Sequence, residues 1–400
     1  MAEWRGVFTF AELVARGVLE IGDGYRAKLE ELGGSGPIFF RAALLDSRGM
    51  NWAQAERFHA ELISKVRSKA GRTGDTVVTT KGNSVGRTGY VPSGVPPFVY
   101  SPHLSYWRSL DLSQLSPRFM YYWSLSREFN LQLRSMAYST DMAPYLSLTD
   151  QRRLRISLPE IAVQQAVADV LGGLDDKIAV NAQIIPSCDE LRTLKTKYWM
   201  QSNPEMAQEI PLSSIGKFVN GRAFTKNASG TGRMVIRIAE INSGPGGSTV
   251  YNDIEVPEQH LARPGDVLFA WSGSLAVARW FRPEAIINQH IFKVIPRDGL
   301  PVWLAFELVQ AKLRDFKAIA AGKATTMGHI QRHHLDESVL APTQSCVLKL
   351  DAELGPLWER ALAAERESLT LAELRDALLP GLMSGEIRIR DAEKIVEDAT

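Results

Sequence analysis

Several stretches of this 400-residue chain carry side chains that could do chemistry, and each fails on spacing. Ala321-Gly322-Lys323-Ala324-Thr325-Thr326 hints at a phosphate-cradling loop. Lys317, however, stands where the first glycine of such a loop belongs, and Ala324 where Ser or Thr should meet a metal. His329, His333 and His334 sit at helical spacing near Asp336 and Glu337 and could mimic a metal site, but a solvated or DNA-facing turn accounts for them far better. Cys188 and Cys346 have no metal-ligand spacing and no activating neighbour in sequence. No Asn-Pro-Pro-aromatic or Asp-Pro-Pro-aromatic tetrapeptide of an adenine methyltransferase occurs. The remaining chemistry is hydrogen bonding. Small polar turns rich in Lys, Arg, Asn, Ser and Gly are suited to hold a phosphate or meet a base edge.

The elements that position those turns come in two copies. Residues 70–108 and 262–297 each contain a Gly-Asp turn, Gly74-Asp75 or Gly265-Asp266, followed by a short apolar strand. A polar turn comes next, Lys81-Gly82-Asn83-Ser84 or Ser272-Gly273-Ser274. Arg87 or Arg279 follows, then Pro92 or Pro283, then a second strand near His103 or His290. Strand, Gly-rich turn, strand predicts a hairpin in each copy. Helical stretches over 118–136 and 302–320 follow, each ending in a Ser/Thr-bearing turn before a last strand. The unit is an α+β module, present twice.

Two long helical segments separate and follow the modules. Over 161–199 the apolar residues Val167, Leu171, Leu174 and Ile178 fall on heptad steps, with Asn181 on the next core position, where a polar group can fix register. Pro186 predicts a bend or break near Gln183–Pro186. Over 347–380 the seam runs through Leu354, Leu357 and Leu371. The expected fold class is α+β, two tandem α/β modules alternating with two long helices that pair as an antiparallel coiled coil. Module 1 is expected over 1–159, the first helix over 160–200, module 2 over 208–342, the second helix over 343–385 and a tail over 386–400.

Composition excludes collagen-like, disordered and disulfide-stapled chains: 45% of residues are hydrophobic and 23% charged. Lys and Arg total 46 against 45 acidic residues. That balance hides an asymmetry. Residues 65–108 hold 7 basic side chains against Asp75 alone, whereas 343–400 hold 12 acidic against 7 basic. A basic module face and an acidic helical tail favour a DNA-facing module and a protein-facing helix. Two cysteines suit a reducing cytosol, and neither a signal peptide nor an 18-residue apolar run is present, so a cytoplasmic chain without a membrane segment is expected.

The segment Leu158-Pro159-Glu160-Ile161-Ala162-Val163-Gln164-Gln165-Ala166-Val167-Ala168-Asp169-Val170-Leu171, continuing through Leu174-Asp175-Asp176-Lys177-Ile178, resembles the helix-entry signature of type I restriction-modification specificity subunits. Gly265-Asp266-Val267-Leu268-Phe269-Ala270, Asn288-Gln289-His290-Ile291 and Ala324-Thr325-Thr326-Met327-Gly328-His329-Ile330 resemble the target-recognition domain of that family. The second helix departs from the pattern, opening on Pro342-Thr343-Gln344-Ser345-Cys346.

The resemblance implies a chain without catalysis of its own, reading a bipartite, asymmetric site on double-stranded DNA with one module per half-site. It implies docking of two adenine-N6 methylation subunits, which bind S-adenosylmethionine, and of restriction and translocation subunits, which use ATP and Mg; no cofactor is expected on this chain. The DNA-binding candidates are Arg26, Lys28, Lys81, Asn83, Ser84 and Arg87 in module 1. In module 2 they are Arg222, Lys226, Ser272, Ser274, Arg279, Lys323, Thr325 and Thr326. A coiled-coil scaffold of a defence complex, with modules that bind protein, is the alternative reading.

Overall fold

A computed structural model describes residues 4–46, 49–53, 55–137, 143–322 and 328–399. The chain divides into two compact units, one formed by residues 1–176 with 372–400, the other by 177–371.

In the first unit, β1 (Trp4–Thr9) pairs antiparallel with β8 (Arg155–Pro159), so the module's two ends are clasped together. Inside the clasp lies an antiparallel sheet in the order β2 (Leu19–Asp23), β7 (Leu104–Ser109), β4 (Thr76–Thr79), β5 (Thr88–Tyr90). A parallel pair, β3 (Ile38–Phe40) with β6 (Phe98–Tyr100), stands beside it. Helices α1 (Pro117–Leu125) and α2 (Arg127–Ala137) cover the sheet. Pro117 sits at the start of α1, where a missing N–H costs nothing. The core is aromatic: Phe10, Trp107, Trp123 and Phe129 are buried with ring centroids 5.1–5.9 Å apart. Each indole N–H is satisfied, Trp107 by Gln151 and Trp123 by Glu128, both at 2.9 Å.

The second unit repeats the plan. Strand β9 (Ala207–Pro211) pairs antiparallel with β18 (Ser338–Pro342). Within that clasp the sheet order is β10 (Gly216–Asn220), β17 (Ile291–Pro296), β14 (Val267–Ala270), β15 (Ala276–Arg279). The parallel pair is β11 (Arg233–Ile236) with β16 (Ala285–Ile287), flanked by β12 (Val250–Asn252) and β13 (Leu261–Ala262). Both Gly-Asp turns keep glycine at positive φ, +88° at Gly74 and +96° at Gly265, a conformation that disfavours any side chain. In both, the aspartate caps its own turn, Asp75 accepting from Arg72 N at 2.8 Å and Asp266 from Arg263 N at 2.7 Å.

Helix α3 (Ile161–Ser202) runs without interruption through Pro186, so the expected break does not occur. Proline removes one N–H and leaves the Ala182 carbonyl without its helical donor. The next carbonyl, Gln183, gains a bond of 2.7 Å from Ser187 Oγ. In the second unit α4 (Val302–Ala321) packs on the sheet, and α5 (Gln344–Ser384) runs antiparallel to α3, as ion pairs Lys177–Glu367 and Lys195–Glu353 require. Asn181, almost fully buried, donates to Glu367 at 2.8 Å and fixes that register. The tail holds one further helix, α6 (Ile389–Ala399). Among the described residues no helix is long and apolar enough to cross a membrane.

The seam residues are placed unit by unit. Val167, Leu171 and Leu174 are buried in the first unit, and Leu354 and Leu371 in the second. Ile178 is half-buried. Leu354 and Leu357 join the core of module 2, beside Trp303, Leu350 and Trp358. Part of the expected helix–helix stripe therefore also seats the module on the helix.

Candidate nucleic-acid interface

Three segments far apart in sequence meet at one corner of each module. In the first, the Thr80 N–H donates to His103 O (2.9 Å), Leu146 N–H to Thr80 O (3.0 Å) and Gly82 N–H to Pro144 O (3.1 Å). In the second, Trp271 N–H donates to His290 O (3.1 Å), Ile330 N–H to Trp271 O (3.1 Å) and Gly273 N–H to Gly328 O (2.8 Å). The hairpin loop, the histidine turn and the segment after the helix are thus tied by the same three backbone bonds twice over.

The same frame carries different side chains. Lys81 bridges to Tyr145 in module 1, its ammonium 4.9 Å from the ring centroid, while Ser272 bridges to His329 in module 2. Thr80 is replaced by the half-buried Trp271, whose ring lies 5.1 Å from His290 and whose N–H donates to Asn220 at 2.8 Å. Tyr145 and His329 belong to the corner; neither stood among the DNA-binding candidates, although His329 lies in the segment that resembles the recognition domain.

Among the candidates, Asn83 and Arg87 are exposed and Ser84 half-buried on the loop of module 1. Arg87 Nη1 donates to the Leu45 carbonyl at 2.6 Å, which holds its guanidinium at the loop's edge. Arg26 and Lys28 are exposed on the segment after β2. Lys28 shares its charge with Glu30 at 3.6 Å, a surface pair of about 0–1 kcal/mol that a phosphate can displace. Arg222, Lys226 and Ser274 are exposed in module 2, and Arg222 bridges to Asn288 beside the corner. Ser272 is buried. Lys323, Thr325 and Thr326 lie outside the described residues.

Arg279 is a correction. Its side chain is 3% exposed, bonded to Glu365 at 2.7 and 2.9 Å and to Asp189 at 3.1 and 3.3 Å, with the guanidinium 4.5 Å from the Trp358 ring centroid. It anchors β15 to α3 and α5 and cannot reach DNA. Its pairing with Arg87 was also out of register: Thr76 faces Tyr90 and Val267 faces Arg279, so Tyr90 is the true counterpart. The loop after β4 is longer than the loop after β14, and the arginine of module 1 falls inside it.

The anchoring network extends further. Arg192, fully buried, donates to Glu307 at 2.8 Å and to Asp189 at 2.6 Å. Burial pushes the carboxyls of Glu307 and Glu365 above the usual range despite these arginines. In the first unit the equivalent work falls to Arg118 on α1, which grips Asp176 at 2.6 and 2.9 Å, and to Tyr122, which donates to Asp175 at 2.6 Å. Gln164, the glutamine of the signature motif, is buried. It accepts from Ser116 N at 3.0 Å and donates to the Gln114 and Pro159 carbonyls, tying the start of α3 to module 1. Among the described residues no group of three or more His, Cys, Asp or Glu could hold a metal ion.

Residues 26–187 match the family described as type I restriction modification DNA specificity domain. Over those residues the chain is similar to that specificity-domain family. Its fold is similar to the type I restriction-modification S subunit from M. genitalium. That pair is 14% identical, with 95% of this chain and 96% of that chain covered at a TM-score of 0.61. The HsdS subunit from Thermoanaerobacter tengcongensis aligns at 16% identity over 96% and 97% of the two chains, with a TM-score of 0.37. A type I restriction-modification structure described by its complex assembly and conformational transition aligns at 17% identity over 97% and 100%, with a TM-score of 0.39. A comparison with curated proteins returns no match.

Proposed function

We propose that each module reads one half of a bipartite, asymmetric site on double-stranded DNA through its loop corner. The observation that carries this reading is one backbone frame bearing two side-chain sets, Thr80, Lys81 and Tyr145 against Trp271, Ser272 and His329. A shared scaffold fixes where DNA is met, and divergent side chains make the two half-sites differ. Exposed Arg26, Lys28, Asn83, Arg87, Arg222 and Lys226 supply phosphate and base-edge donors around those corners.

The long helices serve as the spacer and as the docking surface for two adenine-N6 methylation subunits, with restriction and translocation subunits joining the complex in the cytoplasm. S-adenosylmethionine then belongs to the methylation partner and ATP with Mg to the restriction partner. Genome-wide mapping of adenine methylation, with the chain intact and deleted, tests the reading. Loss of one bipartite asymmetric motif is expected; an unchanged methylome together with a weak salt slope on nucleic acid and a tight protein complex would favour the scaffold instead.

A further inference from the structure

Module 1 holds a second polar concavity beside its loop corner. A pocket of about 710 Å³ opens between the 83–87 loop and α2, lined by Asn83, Ser84, Gly86, Arg87, Asn130 and Arg134 among others. No carboxylate is among the described residues that line it, so two arginines border one space with no acidic side chain in its wall. Arg134 is exposed on α2.

The walls are fixed before any ligand arrives. Gly86 has φ +85°, and a Cβ there would lie 2.0 Å from Leu133 Cδ2, so the loop presses directly on the helix. The Gly86 N–H donates to Thr79 O at 2.9 Å and Arg87 N–H to Thr79 Oγ1 at 3.0 Å, while Thr79 Oγ1 itself donates to the Ser84 carbonyl. On the other wall Asn130 Nδ2 donates to the Ser126 carbonyl at 2.9 Å, which locks its amide against the start of α2. Arg87 is held by Leu45 O as described. A rigid, carboxylate-free cleft with two arginines suits an oxyanion that arrives on a chain, because little ordering entropy remains to be lost on binding.

We propose that this cleft takes the sugar–phosphate backbone of the DNA strand that the 83–87 loop reads, with Arg134 on a phosphate. Arg134 is then a contact residue of module 1 that positions the strand without reading its sequence. The proposal rests on the DNA-reading assignment above and adds the path of the strand across α2.

The test is equilibrium binding of the chain, in complex with its methylation subunits, to duplexes carrying the mapped site and to duplexes altered in either half. Arg134→Ala is expected to weaken binding by the same factor on every sequence. It should also lower the slope of log affinity against log salt by about 1, so that its deficit shrinks roughly threefold between about 50 and 200 mM salt. Arg134→Lys keeps the charge and should restore the slope. An Arg134→Ala complex with the wild-type slope and affinity overturns the cleft, and if Asn83→Ala still loses discrimination in one half-site, the DNA-reading assignment stands. A wild-type complex that binds all duplexes alike overturns both. Since Arg134 is exposed, unchanged thermal unfolding of Arg134→Ala distinguishes a missing phosphate interaction from a misfolded module.

Discussion

Arg279 and Glu365 face each other as a two-pronged pair, guanidinium to carboxylate at 2.7 and 2.9 Å, with the arginine side chain all but excluded from water. Removing one partner leaves the other's charge buried alone, a loss of about 3–5 kcal/mol. Arg279→Ala should therefore lower unfolding stability of the full chain by that order in chemical denaturation. The same variant should leave the salt slope of DNA binding unchanged, since the guanidinium never meets a phosphate. A lowered slope with intact stability would return Arg279 to the interface.

On the proposed reading the two corners make separable contributions. Lys81→Ala with Arg87→Ala should relax discrimination in one half-site only, and Arg222→Ala with Lys226→Ala in the other. Removing a hydrogen bond to a base edge costs about 1–3 kcal/mol of discrimination, and removing a phosphate partner takes away about one unit of salt slope. Competition binding with duplexes altered in one half at a time reads both effects. Variants that weaken both halves equally would contradict the assignment of one module to each.

Much of this arrangement was legible in the residues. The Gly-Asp turns announced the hairpins because positive φ and a capping carboxylate leave few alternatives to Gly followed by Asp. The heptad steps from Val167 to Ile178 marked a helix, and Asn181 marked its register. Loop length was not legible. The eight residues between β4 and β5 outnumber the five between β14 and β15, so matching arginine to arginine paired Arg87 with Arg279 and hid Tyr90. Tyr145 and His329 stood outside the candidate contact set for a different reason. Their places at the corners depend on backbone bonds to loops about 60 residues earlier, which no local pattern encodes.

Pro186 in the middle of α3 gives a further test. Restoring the N–H by Pro186→Ala lets the Ala182 carbonyl regain its helical donor. The substitution should raise stability by up to about 3 kcal/mol, read from the denaturation midpoint. No gain would mean that the packed partner helix had already absorbed the proline.

His260 should give the second unit an acid sensitivity. It is 3% exposed, packs against Phe224 at 5.7 Å between centroids, and neither ring nitrogen has a hydrogen-bond partner among the described residues. Burial, with Arg222 nearby, holds its pKa below the ordinary 6.5. An unfolded chain then binds the proton more readily than the folded one. The stability tied to the neutral ring is complete above pH 6.5 and is lost as pH falls through the lowered value. His260→Leu should flatten that part of a stability–pH curve measured by thermal unfolding; an unchanged curve would show that the ring does not titrate on unfolding.

The strand clasps have a consequence for ancestry. Each module enters and leaves through neighbouring strands, β1 beside β8 with one register shift between Trp4 and Gly6, and β9 beside β18 in continuous register. Everything between those strands can be exchanged for a sequence of another length, provided the clasp and the anchors behind it are kept. If each module reads one half-site as proposed, exchange of the coding sequence between the two strands of one clasp would change one half of the recognised site and leave the other module's sequence as it was.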